Sequence, residues 1–166
     1  MKNITIIAAD EGQNLKLAQQ IKNQLDQLTT TTTLVDLISL QLPLYTLSLE
    51  KEQGIPKQAK ELYDQFTNSN GFFIVTPEYN GGIPPVLSNT IAWISRVNEN
   101  WRASFNEKPA ALASYSYTGA ANLFIALRIQ LAYMGLTVLG RTLSITPTHP
   151  LKNPSLLALC TQLTTV

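Results

Sequence analysis

The chain is poor in the residues that metal centres and nucleophilic active sites require. It has one cysteine, Cys160, and one histidine, His149, in 166 residues. A single cysteine excludes an intramolecular disulfide and suits a reducing compartment. On its short apolar segment, Cys160 reads as a buried, inert thiol. The histidine stands in Pro147-Thr148-His149-Pro150, an expected exposed turn. Alone it gives poor grounds for a metal site or for acid–base catalysis. Charge is sparse too: 14% of residues are charged, the formal net charge is +1 and no basic run exists. That balance gives no electrostatic support for a nucleic-acid or membrane-surface role. No apolar run approaches the roughly 18 residues of a membrane span. The apolar start ends at Asp10 and Glu11, too early for a signal peptide, so a cytoplasmic protein is expected. The GlyLysSer phosphate loop and the Gly-x-Gly-x-x-Gly fingerprint are both missing.

What remains is a lightly charged chain, 45% hydrophobic and long enough for one domain, taken as 1–166. Strand-like and helix-like segments alternate along it. Ile4–Ala8, Thr32–Asp36, Gly71–Thr76 and Pro109–Ser114 read as strands, with a fifth at Leu136–Leu139 or Leu143–Ile145. Helical spacing marks Asn14–Leu28, Pro56–Asn68, Pro84–Val97, Ala120–Met134 and, more briefly, Pro154–Gln162, with Gly135 as a C-cap. Leu37–Tyr45 reads as irregular, and the threonines at 29–33 as a loop entering strand two. Five βα units with continuous apolar strands imply a parallel sheet covered by helices on both faces.

The most informative run is Thr76-Pro77-Glu78-Tyr79-Asn80-Gly81-Gly82-Ile83-Pro84-Pro85, on a strand-to-helix turn. Ligands of open parallel sheets bind outside the carboxyl ends of the strands. Gly81 and Gly82 permit a sharp turn and close backbone approach, and Pro84 and Pro85 suit a first helical turn. The run closely resembles the ProGluTyrAsnGly loop of the NADPH-dependent FMN reductase family. Further matches are Leu42-Pro43-Leu44-Tyr45; Asn89, Trp93, Ser95 and Arg96; Lys108-Pro109, Ser114, Ser116 and Gly119; and Arg128, Gln130, Leu131 and Gly135.

The resemblance implies a flavodoxin-like three-layer sandwich with a five-stranded parallel sheet of order 2-1-3-4-5. It implies an FMN-dependent oxidoreductase that takes electrons from NADPH or NADH and passes them to a small acceptor such as a flavin or quinone. Flavin-site residues carried over from it are Gly12, Asn14, Pro77, Glu78, Tyr79, Asn80, Gly81, Gly82, Ser116 and Gly119. The flavin carries the chemistry, so no catalytic side chain is assigned, and no metal. A homodimer or homotetramer is implied, with the tryptophan-containing helix 84–97 and Trp101 near the interface.

Several assignments keep two readings. Glu78, Tyr79 and Asn80 hold a flavin or form a turn; Ser116 bonds a flavin carbonyl or closes its turn. Arg96 and Arg102 meet an acid across an interface, meet a nucleotide phosphate, or are surface charges. The chain also departs from the family. The loop after strand one, Ala8-Ala9-Asp10-Glu11-Gly12-Gln13-Asn14, is short and acidic where members carry glycine, serine and arginine for the flavin phosphate. Asn14 there is either a phosphate contact or a helix N-cap. Tyr117-Thr118-Gly119-Ala120-Ala121 replaces a glycine-rich turn with bulkier side chains, and the chain past Pro147 looks abbreviated. These departures support an alternative: a flavodoxin-fold binding or assembly module with weakened or lost flavin binding.

Overall fold

The computed structural model describes residues 2–28 and 30–166. Thr29, the first of the threonine run, lies outside the described residues. Five strands, β1 (Lys2–Ala8), β2 (Thr30–Asp36), β3 (Gly71–Val75), β4 (Pro109–Tyr115) and β5 (Thr137–Ile145), form one sheet in the order β2-β1-β3-β4-β5. Every pairing is parallel, with Ile6 level with Leu34 and with Phe73, and Ile74 level with Leu112. The helices are α1 (Gln13–Leu25), α2 (Leu47–Gln53), α3 (Lys57–Thr67), α4 (Pro85–Val97), α5 (Ala121–Tyr133) and α6 (Asn153–Thr165). This is the expected three-layer sandwich.

The strands carry apolar side chains on both faces, so each face needs a helical cover. Ile4, Ile6, Phe73, Val75, Ala111 and Ala113 pack against Leu17, Ile21 and Leu25 of α1 and Leu156, Leu159 and Leu163 of α6. On the opposite face, Ile7, Phe72, Ile74 and Leu112 meet Leu62 and Phe66 of α3, Leu87 and Ile94 of α4, and Leu123, Leu127 and Leu131 of α5. α6 is longer than its periodicity suggests and closes the first core as a covering helix. Cys160 of α6 is fully buried, and burial pushes its thiol pKa up to about 12. Cys160 is therefore expected to resist iodoacetamide at neutral pH and to react only in denaturant, as mass spectrometry would show; rapid native labelling would contradict this packing.

Three elements differ from the sequence reading. The threonines from 30 onward belong to β2 rather than to a loop: four β-branched residues suit an exposed-edge strand, and Thr31 and Thr33 are exposed there. β5 spans both stretches proposed for it because its register slips. Ala110 is level with Val138 but Leu112 is level with Thr142, so the segment around Gly140 bulges between two apolar patches. α2 went unread, although Thr46 caps it by accepting a hydrogen bond from Leu49 N–H at 3.1 Å and Gly54 ends it at φ +75°. The glycine after α5 behaves as expected. Gly135 has φ +97°, and Leu136 N–H returns to Leu131 C=O. A Cβ at Gly135 would collide with the Asn106 side chain.

The Leu42–Tyr45 segment is strapped to α4. Asn89 Oδ1 accepts from Tyr45 N–H at 2.7 Å, and its amide donates to Pro43 C=O at 3.0 Å and Leu42 C=O at 3.4 Å. Trp93 Nε1 donates to the same Pro43 carbonyl at 2.7 Å, and Tyr45 lies edge-on to the Trp93 ring. Arg96 reaches Glu50 of α2 at 3.0 Å, and Tyr45 Oη donates to that carboxylate at 2.9 Å. Arg96 holds the Glu50 carboxyl below its ordinary range. These motif residues thus fasten α2 and its preceding loop to α4. Asn89→Ala is expected to cost about 2–3 kcal/mol, since it orphans backbone groups of the strap. Thermal unfolding would show the loss; unchanged stability would contradict the strap.

Candidate functional site

Three turns meet at the carboxyl edge of β1, β3 and β4 and enclose an open cleft of about 500 Å³. The β3–α4 turn supplies Pro77, Glu78, Tyr79, Asn80 and Gly81; the β4–α5 turn supplies Tyr115, Ser116, Tyr117 and Thr118; the β1–α1 turn supplies Asp10, Gln13 and Asn14. The cleft falls where an open α/β sheet is expected to bind a ligand.

The β3–α4 turn is a two-residue reversal. Tyr79 and Gly82 exchange both backbone hydrogen bonds, at 2.9 and 3.1 Å, while Asn80 and Gly81 both take positive φ, +51° and +74°. That is the type I′ turn for which Asn-Gly is the preferred pair. The reversal leaves Tyr79 half exposed at the cleft. The backbone groups of Tyr79 and Gly82 are thus paired with each other, and only the central Asn80 and Gly81 amides lie outside the exchange. Glu78 is likewise committed. Its Oε2 accepts from Leu123 N–H at 3.0 Å in the first turn of α5, and Oε1 from Thr118 Oγ1 at 3.4 Å. Glu78 thereby caps α5 and joins the two neighbouring turns that line the cleft.

In the β4–α5 turn, Ser116 Oγ lies 3.3 Å from both Thr118 Oγ1 and Thr118 N, so its hydroxyl closes the turn. Gly119 and Ala120 follow with φ +89° and +57°. Gly119 C=O accepts from Ser144 Oγ at 2.6 Å. Tyr117 is 83% exposed and stands edge-on to Tyr115. An aromatic side chain so exposed on a turn that lines the same cleft as Tyr79 is a surface against which a flat ring can stack.

The β1–α1 turn is organised by Asn14, whose side chain is buried. Its Oδ1 accepts from Tyr115 N–H at 2.7 Å, and its Nδ2 donates to Tyr115 C=O at 3.1 Å and to Asp10 Oδ2 at 3.3 Å. Asp10 Oδ2 also accepts from Asn14 N–H at 3.4 Å. Gly12, not Asn14, precedes the first helical residue and makes no side-chain cap. Asn14 thus holds the end of β4 rather than offering its amide to a ligand.

Of the residues singled out from sequence, Asn14, Pro77, Glu78, Tyr79, Asn80, Gly81 and Ser116 line the cleft, whereas Gly12, Gly82 and Gly119 shape its turns without lining it. Asp10, Gln13, Tyr115, Tyr117 and Thr118 were not assigned to it. Tyr117 carried a signal, a large aromatic in an otherwise small-residue turn. Trp93 is fully buried in its own chain and cannot contact a partner. Arg102 stacks over Trp101 at 4.5 Å and near Tyr133 at 5.2 Å, away from the cleft. His149 sits in an exposed turn beside Thr146 and Thr148, as expected. No group of three metal-ligating side chains and no helix able to cross a membrane occurs among the described residues.

The fold is that of a flavodoxin-like α/β protein, with an open cleft at the strand carboxyl ends. The chain belongs to the NADPH-dependent FMN reductase family, whose model matches residues 1–149. It is 32% identical over 102 residues to the quinone reductase of Escherichia coli (strain K12), covering 60% of this chain and 53% of that protein. It is 36% identical over 104 residues to the 2-hydroxy-1,4-benzoquinone reductase of a Burkholderia species, covering 60% and 54%. The matched part spans about half the length of these relatives. Among solved structures, the flavoenzyme NAD(P)H:(acceptor) oxidoreductase FerB from Paracoccus denitrificans superposes with a TM-score of 0.78. The alignment covers 98% of this chain and 95% of FerB at 21% identity, a likeness of fold.

Proposed function

We propose that this protein is an FMN-dependent oxidoreductase that takes electrons from NADH or NADPH and delivers them to a small acceptor, a quinone or a flavin. The observation that carries the reading is the cleft itself, placed by a family-matching turn and flanked by two exposed tyrosines. The ring end of a flavin fits what is present. Tyr79 and Tyr117 offer stacking surface, and the Asn80 and Gly81 amides are outside the turn's own hydrogen bonding. The redox chemistry, hydride in from a nicotinamide and electrons out to an acceptor, is what a bound flavin supplies. The chain's own residues orient and enclose. Glu78 fixes the spacing of the two neighbouring turns through its bond to Leu123, and Asn14 fixes the third turn against β4. No side chain is assigned as catalytic.

The quinone reductases among the relatives support a quinone-like acceptor. A homodimer or homotetramer in the cytoplasm completes the reading. The surface that supports assembly is the exposed stripe Ile125, Ile129 and Tyr133 on α5, not Trp93. Anaerobic mixing of protein, flavin and NADH or NADPH tests the function. The visible flavin band is expected to bleach faster than with free flavin and to return when benzoquinone is added. Bleaching no faster than without protein would refute it.

A further inference from the structure

The cleft is built against anions at both places where such a fold would receive one. A helix N-terminus is the natural seat for a phosphate, because its free N–H groups and dipole favour negative charge. α1 starts at this cleft and α5 starts just beyond its Thr118 lining, and a carboxylate from the cleft takes an N–H in the first turn of each: Asp10 from Asn14 N–H at 3.4 Å, and Glu78 from Leu123 N–H at 3.0 Å. Asp10 lies over its turn so closely that a Cβ at Gly12 would be 3.4 Å from Asp10 Oδ2. No lysine, arginine or histidine lines the cleft. The phosphate end of FMN therefore does not fit the residues present, although the ring end does.

We propose that this cleft recognises flavins by the ring alone and that Asp10 makes it indifferent or averse to the flavin phosphate, so that riboflavin is as good a ligand as FMN. The proposal rests on the flavin reading of the cleft and deepens it. A unit charge pair about 6 Å apart in water repels by a factor of about three in affinity, and a phosphate carrying nearly two charges by about ten.

The test is equilibrium titration of the full chain with riboflavin and with FMN, followed by quenching of flavin fluorescence. The wild type is expected to bind riboflavin at least as tightly as FMN. FMN binding should strengthen as salt rises, since salt screens repulsion. Asp10→Asn keeps the size of the side chain and an oxygen that can cap α1. It should shift the ratio of FMN to riboflavin affinity about three- to tenfold toward FMN, whatever it does to ring binding as such. Asp10→Gly, which vacates the seat, should act in the same direction. FMN at least about tenfold tighter than riboflavin in the wild type, weakening with salt as charge-assisted phosphate contacts do, would overturn the proposal. So would equal responses of both flavins to Asp10→Asn, or no response of either. An adjoining hollow shares Gln13 and Tyr115 with the cleft and contains Lys16. Loss of FMN affinity alone in Lys16→Gln would place the phosphate there and also overturn it. Failure of both flavins to bind wild type and variants alike would instead refute the flavin reading itself.

Discussion

Trp93→Ala is expected to lower the unfolding free energy by about 3–5 kcal/mol, the range for deleting a large buried aromatic. Trp93 is fully buried, donates its indole N–H to Pro43 C=O at 2.7 Å and meets Tyr45 at a ring separation of 5.1 Å. Beside it lies a hollow of about 180 Å³, lined by Pro43, Leu49, Gln53, Gly54 and Pro56. The variant cavity would open into this hollow, and the strap that holds α2 would lose its anchor. A domain of this size has only about 5–15 kcal/mol of stability, so the loss is a large share of it. Urea denaturation should show the midpoint falling with little change in slope. Trp93→Phe should fall between, because it keeps most of the volume and loses the bond to Pro43. At temperatures where Trp93→Ala remains folded, flavin affinity should equal that of the wild type, since Trp93 does not line the cleft. A loss of flavin binding without a loss of stability would reverse that assignment.

Gly81→Val is expected to weaken flavin binding by at least about tenfold, equivalent to about 1.4 kcal/mol, and to destabilise the fold by about 1–3 kcal/mol. The reason is conformational rather than steric. A Cβ at Gly81 would lie 3.5 Å from Asn122 Nδ2, an ordinary contact. The backbone, however, sits at φ +74°, a region that a β-branched residue scarcely enters. The Asn80-Gly81 reversal would re-form as another turn and carry Tyr79 away from the cleft. Gly81→Asn separates the two explanations, because asparagine tolerates positive φ while still adding a side chain. It should keep most of the affinity if conformation decides. Equal losses in both variants would indicate that crowding by the added side chain decides.

The contrast between these two variants shows which parts of the molecule were legible in the sequence. The sheet and its covering helices were readable because their apolar periods are set by burial on both faces: Ile4, Ile6, Phe72 and Ile74 could belong to little else. Gly135 was readable because a Schellman ending needs a residue free of a Cβ. α2 was missed because none of its residues is buried, so it leaves no apolar stripe and only its caps, Thr46 and Gly54, mark it. β5 looked like two alternatives because a bulge breaks its pattern.

Within the site, Asn80-Gly81 announced a turn, but nothing local indicated that Glu78 would reach 45 residues along the chain to Leu123, or that Asn14 would clamp Tyr115 from 101 residues away. Those contacts depend on the sheet order bringing three loops to one edge. The same long-range placement changes the meaning of Asn89, Trp93 and Arg96, which match the family yet serve the strap rather than the cleft.

Amide hydrogen–deuterium exchange with and without saturating riboflavin, which carries no phosphate, locates the flavin on the chain. Slowed exchange is expected in the segments 78–81 and 116–118, which line the cleft. No change is expected in 42–54, the strapped segment, or along the exposed face of α5. Protection confined to 42–54, or spread evenly over the chain with none added at 78–81, would contradict the placement of the flavin site.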